Sequence, residues 1–176
     1  CSMKKCANHY AVAVDLGASG GKMAAASFDG SRIELADYIT FPNQPVQILD
    51  TLYWDVFALY RSIVSGMTQY ASELGPAATI GIDTWGASYG LLDKKGRLLE
   101  PVYHYRDKRT DTIMDVIYEK VSQRRIFELT GVQFNRTYTL PQLYSCIVNG
   151  DTCLDNADKL LFLPDLLGYF ISGQMS

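Results

Sequence analysis

Apolar residues in this chain form short runs closed by turn residues, and longer stretches in which they recur every three or four positions. The first run covers residues 10–16 and ends in the turn Gly17-Ala18-Ser19-Gly20-Gly21. Two further strands, at residues 22–28 and 32–41, are separated by the turn-forming pair Asp29-Gly30. Because tight turns join strands that neighbour each other in sequence, this pattern predicts an antiparallel meander of three strands.

Helical spacing of apolar residues begins at position 54 and continues to about position 74. Gly75-Pro76 should end this helix, and either Asp50 or Thr51 is a suitable N-terminal cap. The remaining predicted elements are strands at residues 78–83, 87–93 and 160–163, and helices at residues 113–121 (capped by Thr110), 124–129, 140–148 and from Pro164 onward.

The composition is that of a folded globular domain. The chain has 176 residues, of which 48% are hydrophobic and 20% charged, and this suits one domain or most of a larger one. The formal charge of −3 leaves no basic surplus for a nucleic-acid backbone, so we expect no nucleic-acid partner. No apolar stretch is long enough to span a membrane, and no secretory leader precedes the first strand. We therefore expect a cytoplasmic protein without a membrane partner.

The N-terminus and the cysteine spacing lead to two further expectations. Met3 followed by two lysines looks like a natural start, so residues 1–9 are interpreted as a tail or as an added start. The four cysteines, at positions 1, 6, 146 and 153, form no Cys-x-x-Cys pair. This spacing favours reduced thiols over a structural zinc site.

A carboxylate closes the first predicted strand, and a turn of small residues carries the chain into the second. The segment reads Asp15-Leu16-Gly17-Ala18-Ser19-Gly20-Gly21-Lys22. Its glycines let backbone N–H groups approach a polyphosphate, its hydroxyl and ammonium groups add donors, and its aspartate can hold Mg²⁺ through water. The spacing is neither that of a Walker A loop nor that of a Rossmann loop. Taken alone, it is equally typical of a glycine-rich hairpin without a ligand.

A second carboxylate follows the strand after the long helix, in Gly81-Ile82-Asp83-Thr84-Trp85-Gly86. Ligands of α/β sheets collect at the carboxyl ends of such strands. An indole ring covers apolar sugar faces, and the adjacent glycine lets backbone groups reach sugar hydroxyls. The alternative interpretation is that Trp85 belongs to the core and that Asp83 caps the following turn.

Together, these two segments resemble the FGGY carbohydrate kinases and, within that family, its rhamnulokinase branch. The similarity runs in order from residue 10 to residue 173 and so covers nearly the whole chain. The further matching segments are Tyr53-Trp54-Asp55, Tyr105-Arg106-Asp107-Lys108-Arg109-Thr110, Thr130-Gly131-Val132-Gln133-Phe134 and Leu163-Pro164-Asp165-Leu166-Leu167.

The resemblance implies an α/β domain of the actin-like ATPase (ribonuclease H-like) kind, in which the antiparallel meander belongs to a mixed sheet flanked by helices. Residues 10–176 would be an incomplete N-terminal sugar kinase domain whose partner is the missing C-terminal domain. The implied reaction is ATP-dependent phosphorylation of a ketose, namely L-rhamnulose at its 1-hydroxyl, with ATP and Mg²⁺ as cofactors.

The resemblance also assigns residues. The implied phosphate-binding residues are Asp15, Gly17, Ala18, Ser19, Gly20, Gly21 and Lys22. Asp15 and Asp83 are the candidate Mg²⁺ carboxylates, which can bind the ion through water. Trp85, Gly86, Tyr105 and Arg106 are the candidate sugar-binding residues, and Asp107 is a weaker one. A surface or ion-pair role on a loop is an alternative for Tyr105, Arg106 and Asp107. The family's catalytic base lies beyond Ser176, so we expect no catalytic residue in this chain and no activity from it alone.

Two departures from the family pattern concern the sugar. Ser88 stands where rhamnulokinases usually have an aspartate, which changes charge and reach near the sugar. Tyr138 and Pro141 replace other residues of a usual Phe-Asn-Thr-Leu-Tyr-Gln-Leu segment. A kinase for L-fuculose or xylulose is therefore an alternative, as is a non-catalytic actin-like binding module.

Overall fold

A computed structural model describes residues 10–175 of the chain. The predicted tail at residues 1–9 lies outside the described residues. The strands are β1 (Tyr10–Leu16), β2 (Gly20–Phe28), β3 (Ile33–Leu35), β4 (Ile39–Pro42), β5 (Pro45–Ile48), β6 (Thr51–Trp54), β7 (Thr79–Thr84), β8 (Tyr89–Leu92) and β9 (Lys159–Phe162). The helices are α1 (Val56–Leu74), α2 (Ile113–Lys120), α3 (Gln123–Thr130), α4 (Thr139–Val148), α5 (Cys153–Asn156) and α6 (Leu163–Ser172).

The chain forms two compact units. Of the described residues, the first unit contains those up to Gln44, together with Asp55–Trp85 and those from Pro164 onward. The second unit contains Pro45–Trp54 and Gly86–Leu163. Strands β1 to β4 and β7, helix α1 and nearly all of α6 therefore belong to the first unit.

The sheet of the first unit contains the predicted meander. Strand β1 pairs antiparallel with β2 and parallel with β7, and β3 and β4 both pair antiparallel with β2. The predicted third strand at residues 32–41 is thus two short strands. The chain leaves the ladder between them, where the carbonyl of Asp37 accepts a hydrogen bond of 2.8 Å from the hydroxyl of Tyr70 in α1.

One face of this sheet is the core of the first unit. Val12, Val14 and Leu16 alternate along β1 and are all buried. Helix α1 packs on this face through side chains that include Ile63 and Tyr70, and Gly66 allows the close approach, because an added Cβ there would lie 2.6 Å from the Met23 sulfur. The alternation of burial leaves the opposite face of β1 exposed.

Helix α1 begins later than predicted. Asp55 is its N-terminal cap, and its carboxylate accepts a hydrogen bond of 2.9 Å from the N–H of Ala58. The predicted caps, Asp50 and Thr51, were wrong because they lie at the turn of the β5–β6 hairpin, which the sequence did not reveal. The predicted end is confirmed: Gly75 follows the last helical residue with a φ of 86°.

The second unit combines the β8–β9 pair with short helices. All four residues of β8 are buried, and β9, which lies one residue earlier than the strand predicted at residues 160–163, pairs with it antiparallel. Ile113, Ile117 and Ile126 form a core cluster between α2 and α3. Thr110 is not the cap of α2: it is buried at the end of a 3₁₀ turn, Lys108–Thr110, whose cap is Asp107.

The C-terminal helices are close to their predicted positions. In α4, Pro141 is the third residue, where a missing N–H breaks no intrahelical hydrogen bond. The short helix α5 was not predicted. No helix in the described part of the chain is both long and apolar enough to cross a membrane.

Candidate functional site

The turn between β1 and β2 is held by a buried asparagine that sequence reasoning missed. The turn closes on a 2.8 Å hydrogen bond from the N–H of Gly17 to the carbonyl of Gly20. Asn43 donates from its side chain to the carbonyl of Gly17 at 2.8 Å and from its backbone to the carbonyl of Ser19 at 3.3 Å. The turn therefore has a fixed shape before any ligand binds.

Residues of this turn either serve packing or are available for the binding of a ligand. At Gly21, a Cβ would overlap the ring of Phe41 and lie 2.9 Å from Leu16, so the absence of a side chain serves packing there. Ala18 and Ser19 are exposed, and their N–H groups donate no hydrogen bond to any other residue in the range 10–175. The donors available to a phosphate are therefore those at the tip of the turn.

Three predicted site residues form a row across neighbouring strands. Asp15 in β1 is the register partner of Lys22 in β2 and of Asp83 in β7. Register partners point to the same face of a sheet, and all three of these residues are exposed. Neighbouring strands lie about 4.8 Å apart, so two carboxylates and one ammonium group share a small area beside the turn.

This row has few partners within the protein. Among the described residues, no salt bridge involves any of the three side chains. The ammonium group of Lys22 lies over the ring of Tyr38, 5.1 Å from its centroid. Oxygen ligands from one or two carboxylates, completed by waters and phosphates, are what Mg²⁺ prefers. Asp15 and Asp83 therefore fit a Mg²⁺ ion that is bound together with a nucleotide.

The predicted sugar residues fall in both units. Trp85, which is half-buried, ends the middle segment of the first unit, and the exposed Gly86 begins the next segment of the second unit. Tyr105 is half-buried and Arg106 exposed, and both lie on a loop of the second unit. The guanidinium carbon of Arg106 lies 5.5 Å from the centroid of the Tyr105 ring.

The loop that carries Tyr105 is tied to β6 by hydrogen bonds. Trp54 N–H donates to the carbonyl of Val102 at 2.8 Å, and His104 N–H donates to the carbonyl of Leu52 at 2.9 Å. The carboxylate of Asp107 accepts from the N–H groups of Leu52 at 2.7 Å and Arg109 at 2.9 Å. Asp107 is thus engaged by the backbone, and its burial makes it a structural residue of the loop.

Aromatic rings support Tyr105 from within the second unit. Its ring centroid lies 4.7 Å from that of His104 and 5.6 Å from that of Trp54. Burial, followed by the charge of Arg106, lowers the pKa of His104 to about 4. The imidazole is therefore neutral at physiological pH.

Ser88 is not an exposed residue beside a sugar. Its side chain is fully buried, and its hydroxyl accepts a 3.0 Å hydrogen bond from the indole N–H of Trp54. The expectation that Ser88 changes charge and reach near the sugar therefore concerns a buried position, and it stays a prediction. In the second unit, Ser88 serves as a hydrogen-bond partner of Trp54.

A second buried polar group was also missed by sequence reasoning. The guanidinium of Arg109 stacks on Tyr103, 3.6 Å from the ring centroid, and donates to the side chain of Gln142 at 3.2 Å. The amide of Gln142 in turn donates to the carbonyl of Ala87 at 3.1 Å, which supports the positive φ of 74° at that residue. Only long-range packing brings these residues together.

One group of potential metal ligands lies outside the predicted site. Glu100, Asp151 and Cys153 offer ligand atoms within 4.8 Å of one another and are all half-buried. Burial, reinforced by hydrogen bonding to Glu100, raises the pKa of the Cys153 thiol to about 12. The thiol is therefore protonated in the metal-free protein and is a poor ligand in that form.

Comparisons with known proteins assign the chain to a family. Residues 10–176 match the family model described as the N-terminal domain of the FGGY family of carbohydrate kinases. A rhamnulokinase of Bacteroides thetaiotaomicron is 39% identical over 163 residues, which cover 93% of this chain and 34% of that protein. A rhamnulokinase of Mannheimia succiniciproducens is 36% identical, with 92% of this chain and 34% of that protein covered. The chain thus spans about a third of the length of these relatives.

Solved structures confirm the fold class. The ligand-bound xylulose kinase of Lactobacillus acidophilus matches 95% of this chain and 34% of its own, with a TM-score of 0.81 at 14% identity. Gluconate kinase of the same organism matches 94% of this chain and 34% of its own, with a TM-score of 0.79 at 13% identity. At such identities the likeness concerns the α/β, actin-like fold alone. The family model matches residues 10–176, and the chain therefore belongs to the FGGY family of carbohydrate kinases.

Proposed function

We propose that this chain is the N-terminal third of an ATP-dependent ketose kinase that converts L-rhamnulose to L-rhamnulose 1-phosphate. In this proposal, residues 10–176 form the incomplete N-terminal domain, and a C-terminal domain completes the enzyme. Two relatives named rhamnulokinase, at 39% and 36% identity, support the choice of sugar. The observation that carries the proposal is the exposed row of Asp83, Asp15 and Lys22 beside a turn with unused N–H groups.

The turn would bind the phosphates of ATP. The N–H groups of Ala18 and Ser19 are exposed, and the hydrogen bonds from Asn43 fix the backbone that carries them. Donors that are already in place need no reorganisation when negative charge develops on a transferring phosphoryl group. Lys22, on the same face, adds a positive charge that offsets the negative charge of the phosphates.

Asp15 and Asp83 would hold Mg²⁺, either directly or through water. When bound, this ion neutralises phosphate charge and helps to orient the phosphates for in-line transfer. The two carboxylates supply negative charge from adjacent backbone positions, because their strands are hydrogen-bonded in register. Their exposure leaves room for the waters that complete an octahedral shell.

Trp85, Gly86, Tyr105 and Arg106 would bind the ketose. The ring of Tyr105 can cover an apolar face of the sugar, and the guanidinium of Arg106 can donate to its hydroxyls. Gly86 allows close approach, because a side chain there would meet no other atom within 4 Å and would instead occupy the space in front of the backbone. The role of the chain is thus to hold and orient substrates, while the base that accepts the sugar proton belongs to the rest of the enzyme.

A coupled assay of ADP release tests the proposal. The full-length protein is assayed with L-rhamnulose, L-fuculose and D-xylulose, and the 176-residue chain is assayed in parallel. We expect turnover with L-rhamnulose by the full-length protein and essentially none by the chain alone, since much of the rate comes from holding both substrates in place. If the chain alone turned over L-rhamnulose as fast as the full-length protein, the proposal that the catalytic base lies outside this chain would be contradicted.

The alternatives give different results in the same assay. Preference for L-fuculose or D-xylulose would keep the reaction class and change the substrate. Absence of turnover with every ketose, combined with calorimetric binding of a sugar, would instead indicate a non-catalytic binding module.

A further inference from the structure

We propose that His104 is a positioning residue for the sugar substrate, because it fixes the two neighbouring residues that would contact the ketose, Tyr105 and Arg106. This inference rests on the proposed function, in which these two residues belong to the sugar site. It assigns His104 no direct contact with the substrate.

His104 is held through both its backbone and its ring. Its backbone N–H donates to the carbonyl of Leu52 at 2.9 Å, and its backbone carbonyl accepts from the N–H of Asp107 at 2.9 Å. Its ring lies on that of Trp54, with centroids 3.9 Å apart and an angle of 31° between the planes. The indole N–H of Trp54 donates to the buried hydroxyl of Ser88 at 3.0 Å. A chain of buried contacts therefore fixes the plane of the imidazole.

The imidazole makes one contact with each of the two residues of the proposed sugar site. The Nδ1 atom of His104 accepts a 3.0 Å hydrogen bond from the backbone N–H of Arg106. The imidazole ring also packs against Tyr105, with 4.7 Å between centroids. The first contact sets the backbone at Arg106 and the second limits the tilt of the Tyr105 ring. Both residues are adjacent to His104 in sequence, yet both contacts depend on the orientation of its side chain.

The protonation state of His104 agrees with this role. An Nδ1 atom that accepts a hydrogen bond leaves the single proton of the neutral imidazole on Nε2. Burial lowers the pKa of the ring most, the nearby charge of Arg106 lowers it further, and together they outweigh Asp107, which raises it. With a pKa of about 4, the ring keeps its acceptor free of a proton at physiological pH.

Two substitutions separate the contacts of the imidazole. His104→Phe keeps a flat ring against Tyr105 and removes the acceptor for Arg106. His104→Asn keeps an acceptor close to the position of Nδ1 and removes the ring. Both are made in the full-length kinase, and kcat and the KM values for L-rhamnulose and ATP are measured. Tyr105→Ala is the reference for loss of the sugar contact, and Tyr70→Phe is the control for a destabilised first unit.

We expect each His104 variant to raise the KM for L-rhamnulose about fivefold, the effect of losing one hydrogen bond or packing contact. The KM for ATP and kcat should stay within about twofold, because the loss concerns binding of the ketose alone. Tyr70→Phe should leave the KM for L-rhamnulose unchanged. A purely structural role for His104 would move both KM values together.

Three results would overturn the proposal. The first is an unchanged KM for L-rhamnulose in folded His104 variants when Tyr105→Ala raises it. The second is a parallel rise of both KM values, and the third is failure of both variants to fold, which would assign His104 to folding. If the wild-type protein turned over no ketose, the proposed function itself would be wrong. If Tyr105→Ala left the KM for L-rhamnulose unchanged, the sugar-site assignment on which the inference depends would be wrong.

Discussion

Asp15 and Asp83 are register partners on neighbouring parallel strands, and both lie on the exposed face of the first unit's sheet. Because β1 and β7 are hydrogen-bonded to each other, the sheet sets the distance between the backbone positions that carry the two carboxylates. Neither carboxylate forms a salt bridge with any residue between 10 and 175. Lys22 shares their face but forms no salt bridge with either carboxylate, so a pair of like charges stays available for the binding of a cation.

Replacement of Asp15 should abolish most activity without harming the fold. In the full-length kinase, Asp15→Asn is expected to lower kcat about 100-fold or more, because the neutral amide would hold less well the Mg²⁺ that neutralises the charge of the transferring phosphoryl group. Its unfolding transition should be unchanged, since the side chain is exposed. Glu34→Gln, an exposed carboxylate on β3, is the matched control and should retain full activity. Wild-type turnover in Asp15→Asn would remove this residue from the phosphate site.

Two glycines should respond to alanine in opposite ways. Gly21→Ala places a methyl group on the Phe41 ring, so the free energy of unfolding should fall by about 1–3 kcal/mol. Gly86→Ala meets no atom within 4 Å, so stability should change by less than about 0.5 kcal/mol while the KM for L-rhamnulose rises. Urea unfolding and steady-state kinetics measure the two effects. Equal loss of stability in both variants would contradict this division between packing and binding.

Stability should depend on pH through His104. Its pKa is about 4 in the folded protein and 6.5 in the unfolded reference, so between these values the unfolded state binds more protons. The free energy of unfolding should therefore fall as the pH drops from about 6.5 to about 4, by up to about 1.4 kcal/mol per pH unit. Urea unfolding across this range is compared with that of His104→Phe, because carboxylates also titrate there. The same slope in both proteins would show that His104 does not contribute.

Two buried tyrosines should differ when their hydroxyl groups are removed. The hydroxyl of Tyr89 is buried near Arg109 and Cys146 but makes no hydrogen bond of good geometry among the described residues, so Tyr89→Phe should raise the free energy of unfolding by up to about 1 kcal/mol. The hydroxyl of Tyr70 lies within hydrogen-bonding distance of the carbonyls of Met23 and Asp37, so Tyr70→Phe should lower it by a similar amount. Calorimetry of both variants checks the contrast, and destabilisation by Tyr89→Phe would reveal a partner for its hydroxyl.

Local patterns predicted the part of the fold that depends on neighbours in sequence. The meander of β1 and β2 follows from an alternating strand and a turn of small residues, and the end of α1 follows from Gly75. The β5–β6 hairpin was missed because all four residues of β5 are exposed and its turn contains Leu49, with a φ of 52°, instead of a glycine. No turn signal marks that position, so the wrong caps were chosen for α1.

The candidate site could be predicted only as far as its segments carry their own signal. Asp15 and Asp83 each lie near the end of a strand that the sequence predicts, whereas the register that places them side by side is seen only in the structure. The burial of Ser88 could not be foreseen, because it depends on Trp54, which is 34 positions away in sequence. The same holds for Asn43, whose contact with the turn spans 26 positions.

The attachment of the Tyr105 loop to β6 has a consequence for protein engineering. Its hydrogen bonds to Leu52 and Trp54 are made by backbone groups or by the carboxylate of Asp107, so the path of the loop does not depend on the side chains at positions 105 and 106. Libraries that seek altered sugar preference can vary those two positions together and keep Asp107 and His104 constant. Randomising the whole loop would mostly sample chains in which its anchors are lost.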